Sequence, residues 1–140
     1  MSKIYESGYD LVCASRYVYG GRHIRGPLIK KYLSYFAGKS LFYLTTLPIN
    51  DPTNSFKLYS RKGLNKIQID SQGGFEIGIE IVAKFHNLGL KISETPTIWR
   101  DREIGKSKFK LFKWLPFYLK WYFFIISKNL IIFKFLNKIN

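Results

Sequence analysis

The chain is short of acid, of sulfur and of long apolar runs. Aspartate and glutamate number 9 against 23 lysines and arginines, giving a formal charge of +14 over 140 residues. A surplus of that size calls for an anionic partner. Nucleic acid, lipid headgroups and phosphorylated substrates all answer to it, and charge alone does not choose. The single cysteine, Cys13, excludes an intrachain disulfide framework and fits a reducing compartment. It lies in the run Asp10-Leu11-Val12-Cys13-Ala14, where it reads as a small core residue rather than a nucleophile. The longest uncharged apolar run, Trp121 to Ile126, falls far short of the about 20 residues that a spanning helix needs. Met1 to Tyr9 lacks the apolar core of a signal peptide. His23 and His86 have no cysteine or acid at ligand spacing, so no histidine metal site is expected.

Apolar residues make up 46% of the chain, enough for one domain with a real core. Tyr9 to Ala14 reads as a buried parallel strand that delivers Ser15 and Arg16 at its carboxyl end, where open α/β sheets bind ligands. Val18 to Gly26, with three glycines, reads as a loop. Pro27 then opens a helix to about Thr46. A short strand is expected at Phe56 to Ser60, a short helix at Arg61 to Ile67 and a turn at Ser71 to Gly74. A helix follows over Phe75 to Asn87, then a strand over Lys91 to Trp99 with an edge or bulge at Pro96. About three strands emerge, fewer than the four to six of a typical stable sheet. The fold class is therefore α/β, with the pattern of a piece of a larger sheet.

Four short segments stand in order along the chain: Ala14-Ser15-Arg16-Tyr17 with Gly20-Gly21; Asp51-Pro52-Thr53-Asn54-Ser55-Phe56-Lys57; Gly74-Phe75-Glu76 with Glu80; and Asp101 to Lys108. At this spacing the chain resembles the second half of a family-2 glycosyltransferase of the dolichyl-phosphate mannosyltransferase, or polyprenyl-phosphate glycosyltransferase, type. The resemblance covers about Tyr9 to Lys108, and more loosely the C-terminal helices. It implies the C-terminal part of a GT-A, Rossmann-like fold over residues 1–108. It also implies transfer of a hexose, such as mannose or glucose, from a nucleotide-sugar to a polyprenyl or dolichyl phosphate. The family uses a divalent metal, Mg or Mn, held by an Asp-x-Asp. No two of Asp10, Asp51, Asp70 and Asp101 have that spacing, so no metal ligands are expected in this chain. The donor-binding half is expected to come from elsewhere, such as a separate chain, and residues 1–140 alone are expected to be inactive or nearly so.

Arg16 stands where a guanidinium fork can meet phosphate oxygens, although an ion-paired arginine is the plainer reading. The resemblance adds Lys30 and Ser34, one helical turn apart, and Arg102 as phosphate contacts to donor and acceptor. Lys31, adjacent to Lys30, competes for that place. Ser107 and Lys108 belong to a loop that closes over the phosphates in the similar enzymes. Asp51 and Lys57 come second, because Asn54, Ser55 and Lys57 replace the family's Ser, Gly and Arg. Losing that glycine matters if the backbone there needs a positive φ. Glu80 reads as an orienting partner for a nearby cation, since an anionic acceptor oxygen needs no strong base.

From Ile104 onward there are eight lysines and no acid. On a helical wheel Lys120, Lys128, Lys134 and Lys138 share about a 120° arc. Trp114, Trp121, Phe123, Phe124, Ile125, Ile132 and Phe133 occupy much of the rest. Residues 109–140 are therefore expected to form amphipathic helices on an anionic membrane surface, peripheral and on the cytoplasmic side. Pro116 is expected to separate a short helix from a longer one. A helix pair packed on the rest of the enzyme is the competing arrangement. The alternative function is a non-catalytic membrane-surface or assembly module. A nucleic-acid partner finds no recognition helix, zinc ligands or RNA-binding signature to support it.

Overall fold

In the computed structural model, residues 1–72, 74–100 and 111–130 are described. Leu11–Ser15 forms strand β1, and its side chains are buried at every position. Burial on both faces explains why the sequence is continuously apolar there rather than alternating. It is the middle strand of three, between β3 (Lys57–Tyr59) and β4 (Ile92–Pro96). The β4 pairing is parallel and in register from Leu11 opposite Ile92 to Ser15 opposite Pro96. The β3 pairing is antiparallel, with Leu11 opposite Tyr59. The sheet is thus mixed, not wholly parallel.

Two stretches differ from the sequence expectation. The segment read as a loop before Pro27 holds a strand, β2 (Arg22–Ile24), paired in parallel with β5 (Ile98–Arg100). The strand expected over Lys91 to Trp99 is split between the two sheets. Pro96 has no N–H to continue a ladder, and Thr97 becomes the hinge. The Thr97 N–H donates to the Ser15 carbonyl (2.9 Å), and the Thr97 carbonyl accepts from the Arg22 N–H (2.9 Å). No apolar alternation marks β2, because its place is set by this distant partner.

A one-turn helix α1 (Ser2–Glu6) precedes β1. Helix α2 (Leu28–Leu44) starts after Pro27, whose φ of −62° is already helical and whose carbonyl accepts from the Lys31 N–H. It ends at Thr45, where the hydroxyl donates to the Leu41 carbonyl. Ser60 caps α3 (Arg61–Leu64) by accepting from the Gly63 N–H at 2.9 Å. Helix α4 (Ile77–Asn87) supplies Ile79, Val82 and Phe85 to a core shared with Leu11, Leu41, Leu47, Ile49 and Ile92.

Helix α5 (Leu111–Asn129) is one helix with Pro116 inside it, not two separated there. An interior proline costs about 3 kcal/mol. Burial of Trp121 and Ile125 in the shared core offsets this on the C-terminal side of the proline, and on its N-terminal side the Trp114 ring packs edge-on against Phe75 with centres 5.3 Å apart. Trp121 and Ile125 therefore face the protein and are not part of an outward aromatic stripe. The Lys84 and Lys120 ammonium groups lie 5.0 and 4.9 Å from the Trp121 ring centre. Among the described residues, no helix is long and apolar enough to cross a membrane.

Candidate phosphate-binding site

The carboxyl end of β1 delivers Arg16 into a buried polar knot. Its Nε donates to Asp51 Oδ2 (2.7 Å) and its Nη2 to Asp51 Oδ1 (2.8 Å), a two-pronged ion pair. The Arg16 backbone N–H donates to the same carboxylate at 3.0 Å. Asp51 itself is fully buried. Nη2 also reaches the Ser34 hydroxyl of α2 (2.7 Å) and, at 3.2 Å, that of Thr53. The two hydroxyls share a hydrogen bond of 2.7 Å. Burial works against the guanidinium charge, but the hydrogen bond and charge of Asp51 outweigh it, so Arg16 holds its proton more firmly than a free arginine. The fork is consequently spent along one edge. Its Nη1 amino group makes no hydrogen bond among the described residues.

A cleft of about 450 Å³ opens beside that arginine, lined by Arg16, Tyr17, Arg22, His23, Lys31 and Tyr35 among others. Three cations from three different elements thus converge on one space. Tyr17 stands edge-on to Tyr35 with ring centres 5.3 Å apart, and Arg16 lies 4.9 Å over the Tyr17 ring. Gly21 lets the returning chain pass close behind Arg16. A Cβ there would lie 2.6 Å from the Ser15 carbonyl oxygen, so only glycine fits.

The loop holding Asp51 is anchored from both ends. Asn54 donates to the Ala14 carbonyl (2.8 Å) and accepts from the Phe56 N–H. Arg25 is the one non-glycine at left-handed φ among the described residues. Ser55 therefore carries no strain where the similar enzymes have glycine.

No protein-family model matches the chain. Over 106 residues, 74% of the chain, it is 33% identical to the polyprenol monophosphomannose synthase of Mycolicibacterium smegmatis. Over 101 residues, 71% of the chain, it is 29% identical to the undecaprenyl-phosphate mannosyltransferase of Micrococcus luteus. The chain matches the family-2 polyprenyl-phosphate glycosyltransferases. It spans about 40% of the length of these curated relatives.

Among the residues that this glycosyltransferase resemblance singles out, Arg16, Ser34 and Asp51 meet in one hydrogen-bonded group. Lys31, not Lys30, lines the cleft. Lys57 turns its ammonium to the Pro52 and Asn54 carbonyls, away from the cleft, and burial lowers its pKa. Glu80 lies on another flank. It accepts from the Asp70 and Ser71 N–H groups (2.6 and 2.8 Å) and pairs with Lys84 at 2.7 Å. Burial pushes its carboxyl up, but these bonds outweigh it and hold it below its ordinary value. Arg102, Ser107 and Lys108, together with Lys134 and Lys138, lie outside the described residues. The sequence motif includes Thr53 without giving it a role, and Arg22 and Tyr35 carry no periodic or motif signal of their own. Cys13, fully buried, has its thiol pushed by burial to about 12, which leaves it inert.

Proposed function

We propose that this chain carries the acceptor-phosphate side of a polyprenyl-phosphate glycosyltransferase, the second half of a GT-A layer over residues 1–108. The observation that carries this reading is the Arg16 cleft at the end of β1, with Arg22 and Lys31 on its walls. Asp51 fixes one edge of the arginine and leaves Nη1 for a phosphate oxygen. Lys31 and Arg22 neutralise the remaining charge, and Ser34 and Thr53 hold the guanidinium plane. The names of the relatives supply the ligand class, a polyprenyl phosphate, with mannose the first sugar to test.

In the reaction, an oxygen of the lipid phosphate attacks the anomeric carbon of the nucleotide-sugar. The new carbon–oxygen bond forms as the bond to the nucleoside diphosphate breaks. The acceptor oxygen is already anionic, so no residue of this chain needs to remove a proton. A divalent metal does not fit the residues at hand. Asp51 is saturated by Arg16 and Thr53, Glu80 by Lys84 and two N–H groups, and no group of three His, Cys, Asp or Glu could hold an ion among the described residues. Following the family resemblance, metal and donor binding are assigned to a separate Asp-x-Asp half, and residues 1–140 alone are expected to be inactive.

The membrane reading draws on exposed apolar residues of two helices. Phe112, Phe117, Leu119 and Phe123 are exposed on α5, near Lys113, Lys120 and Lys128. Ile29, Tyr32, Leu33 and Phe36 form one exposed stripe along α2. With a +14 charge, such surfaces suit an anionic bilayer, which is also where the acceptor resides. Residues 109–140 are accordingly assigned to the interface.

Sugar transfer to polyprenyl phosphate from a mannose or glucose nucleotide tests the catalytic reading. The chain alone is compared with the chain supplemented by the part of the M. smegmatis relative that it does not cover. Transfer only in the mixture supports it. No transfer in either case, together with vesicle binding indifferent to polyprenyl phosphate, contradicts it and leaves the non-catalytic surface module.

A further inference from the structure

Glu94, in the middle of β4, is not part of the cleft, yet it grips the loop that builds it. Its Oε2 accepts from the Asn50 backbone N–H (2.9 Å) and its Oε1 from the Asn50 Nδ2 (2.6 Å). The Asn50 side-chain oxygen in turn accepts from Lys39 Nζ of α2 (2.8 Å). The Asn50 carbonyl packs so closely on Gly38 that a Cβ there would come within 2.0 Å of its oxygen. Asn50 is therefore held from the sheet side by Glu94 and from the helix side by Gly38 and Lys39. The next residue along the chain is Asp51, whose carboxylate sets the plane of Arg16.

We infer that Glu94 is a positioning residue for phosphate binding, acting through Asn50 and Asp51 to aim the free Nη1 edge of Arg16 into the cleft. The inference rests on the proposed role of Arg16. A charged acceptor suits this post better than an amide. Both Asn50 groups that Glu94 receives are donors, and a carboxylate offers two acceptor oxygens. A glutamine would have to turn an NH₂ toward one of them, breaking one of the two bonds. A purely structural Glu94 would stabilise the fold but would not care which residue stands at position 16.

The test is a double-mutant cycle on the chain, with farnesyl phosphate as the probe and calorimetry as the readout. Thermal unfolding is recorded in parallel. Arg16→Lys keeps a cation beside buried Asp51 while removing the fork, and is expected to weaken binding about 30-fold. Glu94→Gln is expected to weaken it about tenfold in the otherwise unaltered chain. In the Arg16→Lys background the same change is expected to cost less than about twofold in binding, while lowering the unfolding midpoint as before. Asn50→Ala removes one of the two bonds to Glu94 and is expected to weaken binding about threefold, again only with Arg16 present. It stands in if Glu94→Gln does not fold. Equal losses in both backgrounds, or no loss while Arg16→Lys weakens binding, overturn the role of Glu94 alone. Unchanged binding in Arg16→Lys overturns the assignment of the cleft itself, and the positioning role with it.

Discussion

In α4, seven of its 11 residues are buried, among them Ile79, Val82 and Phe85. In α2, with 17 residues, only Gly38 and Leu41 are buried. Ile29 and Phe36 of α2 are 65% and 64% exposed, although both helices are rich in apolar residues. The first helix closes the core of this chain, while the second turns its apolar stripe outward. The same α2 lends Lys31 and Tyr35 to the cleft and Ser34 to Arg16. Similar apolar content thus has two outcomes: α4 is covered by the sheet and by α5, whereas the α2 stripe lies open among the described residues. Scattered exposed apolar side chains are ordinary, but a stripe at i, i+3, i+4 and i+7 is a surface.

The sharpest way to break the contrast is to truncate one aromatic on each helix. Phe85→Ala should cost about 3–5 kcal/mol, because Phe85 is fully buried against Gly63 and Tyr59. Phe36→Ala should stay within about 0.5 kcal/mol in the same urea titration. A similarly large loss is expected at the site. Asp51→Ala leaves the Arg16 charge buried without its partner, costing about 3–5 kcal/mol in unfolding free energy.

Charge placed on the stripe sharpens the comparison from the other side. Ile29→Glu with Phe36→Glu should lower affinity for anionic phospholipid vesicles by about 100-fold or more, since each buried apolar side chain contributes about 1.5–3 kcal/mol. The unfolding midpoint should hardly move. Equal vesicle binding would assign that face to a protein partner instead.

The smallest effect concerns acid. Glu80 in the folded protein titrates below its ordinary 4.5, so its contribution is present above that pH and is lost as pH falls through the folded value. Glu80→Gln should lower the melting midpoint at pH 7 and flatten its decline below about pH 4.5. A decline as steep as in the parent chain would remove Glu80 as the source.

Much of this architecture is legible in the sequence where one physical rule dominates. The β1 run is apolar at successive positions because it is buried on both faces. Pro27 and the apolar spacing of Ile79, Val82 and Phe85 mark the helices that hold them. What escapes is set by distant partners. β2 exists because Thr97 hands the chain from one sheet to the other, and nothing within Arg22 to Ile24 announces it. Pro116 argues for a break that the burial of Trp121 and Ile125 overrides. At the site, Arg16 and Ser34 stand out through the family motif, but the choice of Lys31 over Lys30 depends on the roll of α2. Gly38 inside a helix was a usable signal of close approach, here to the Asn50 carbonyl. The grip of Glu94 on that same residue links positions 44 apart in the chain, and no local pattern carries it.

The most direct measurement is co-sedimentation of the chain with anionic phospholipid vesicles, with and without undecaprenyl phosphate, for the parent and for Arg16→Lys. Tighter binding of the parent when the lipid phosphate is added, with no such gain in Arg16→Lys, is the predicted result. An equal response of the two proteins to undecaprenyl phosphate would contradict the assignment of the Arg16 cleft as its phosphate site.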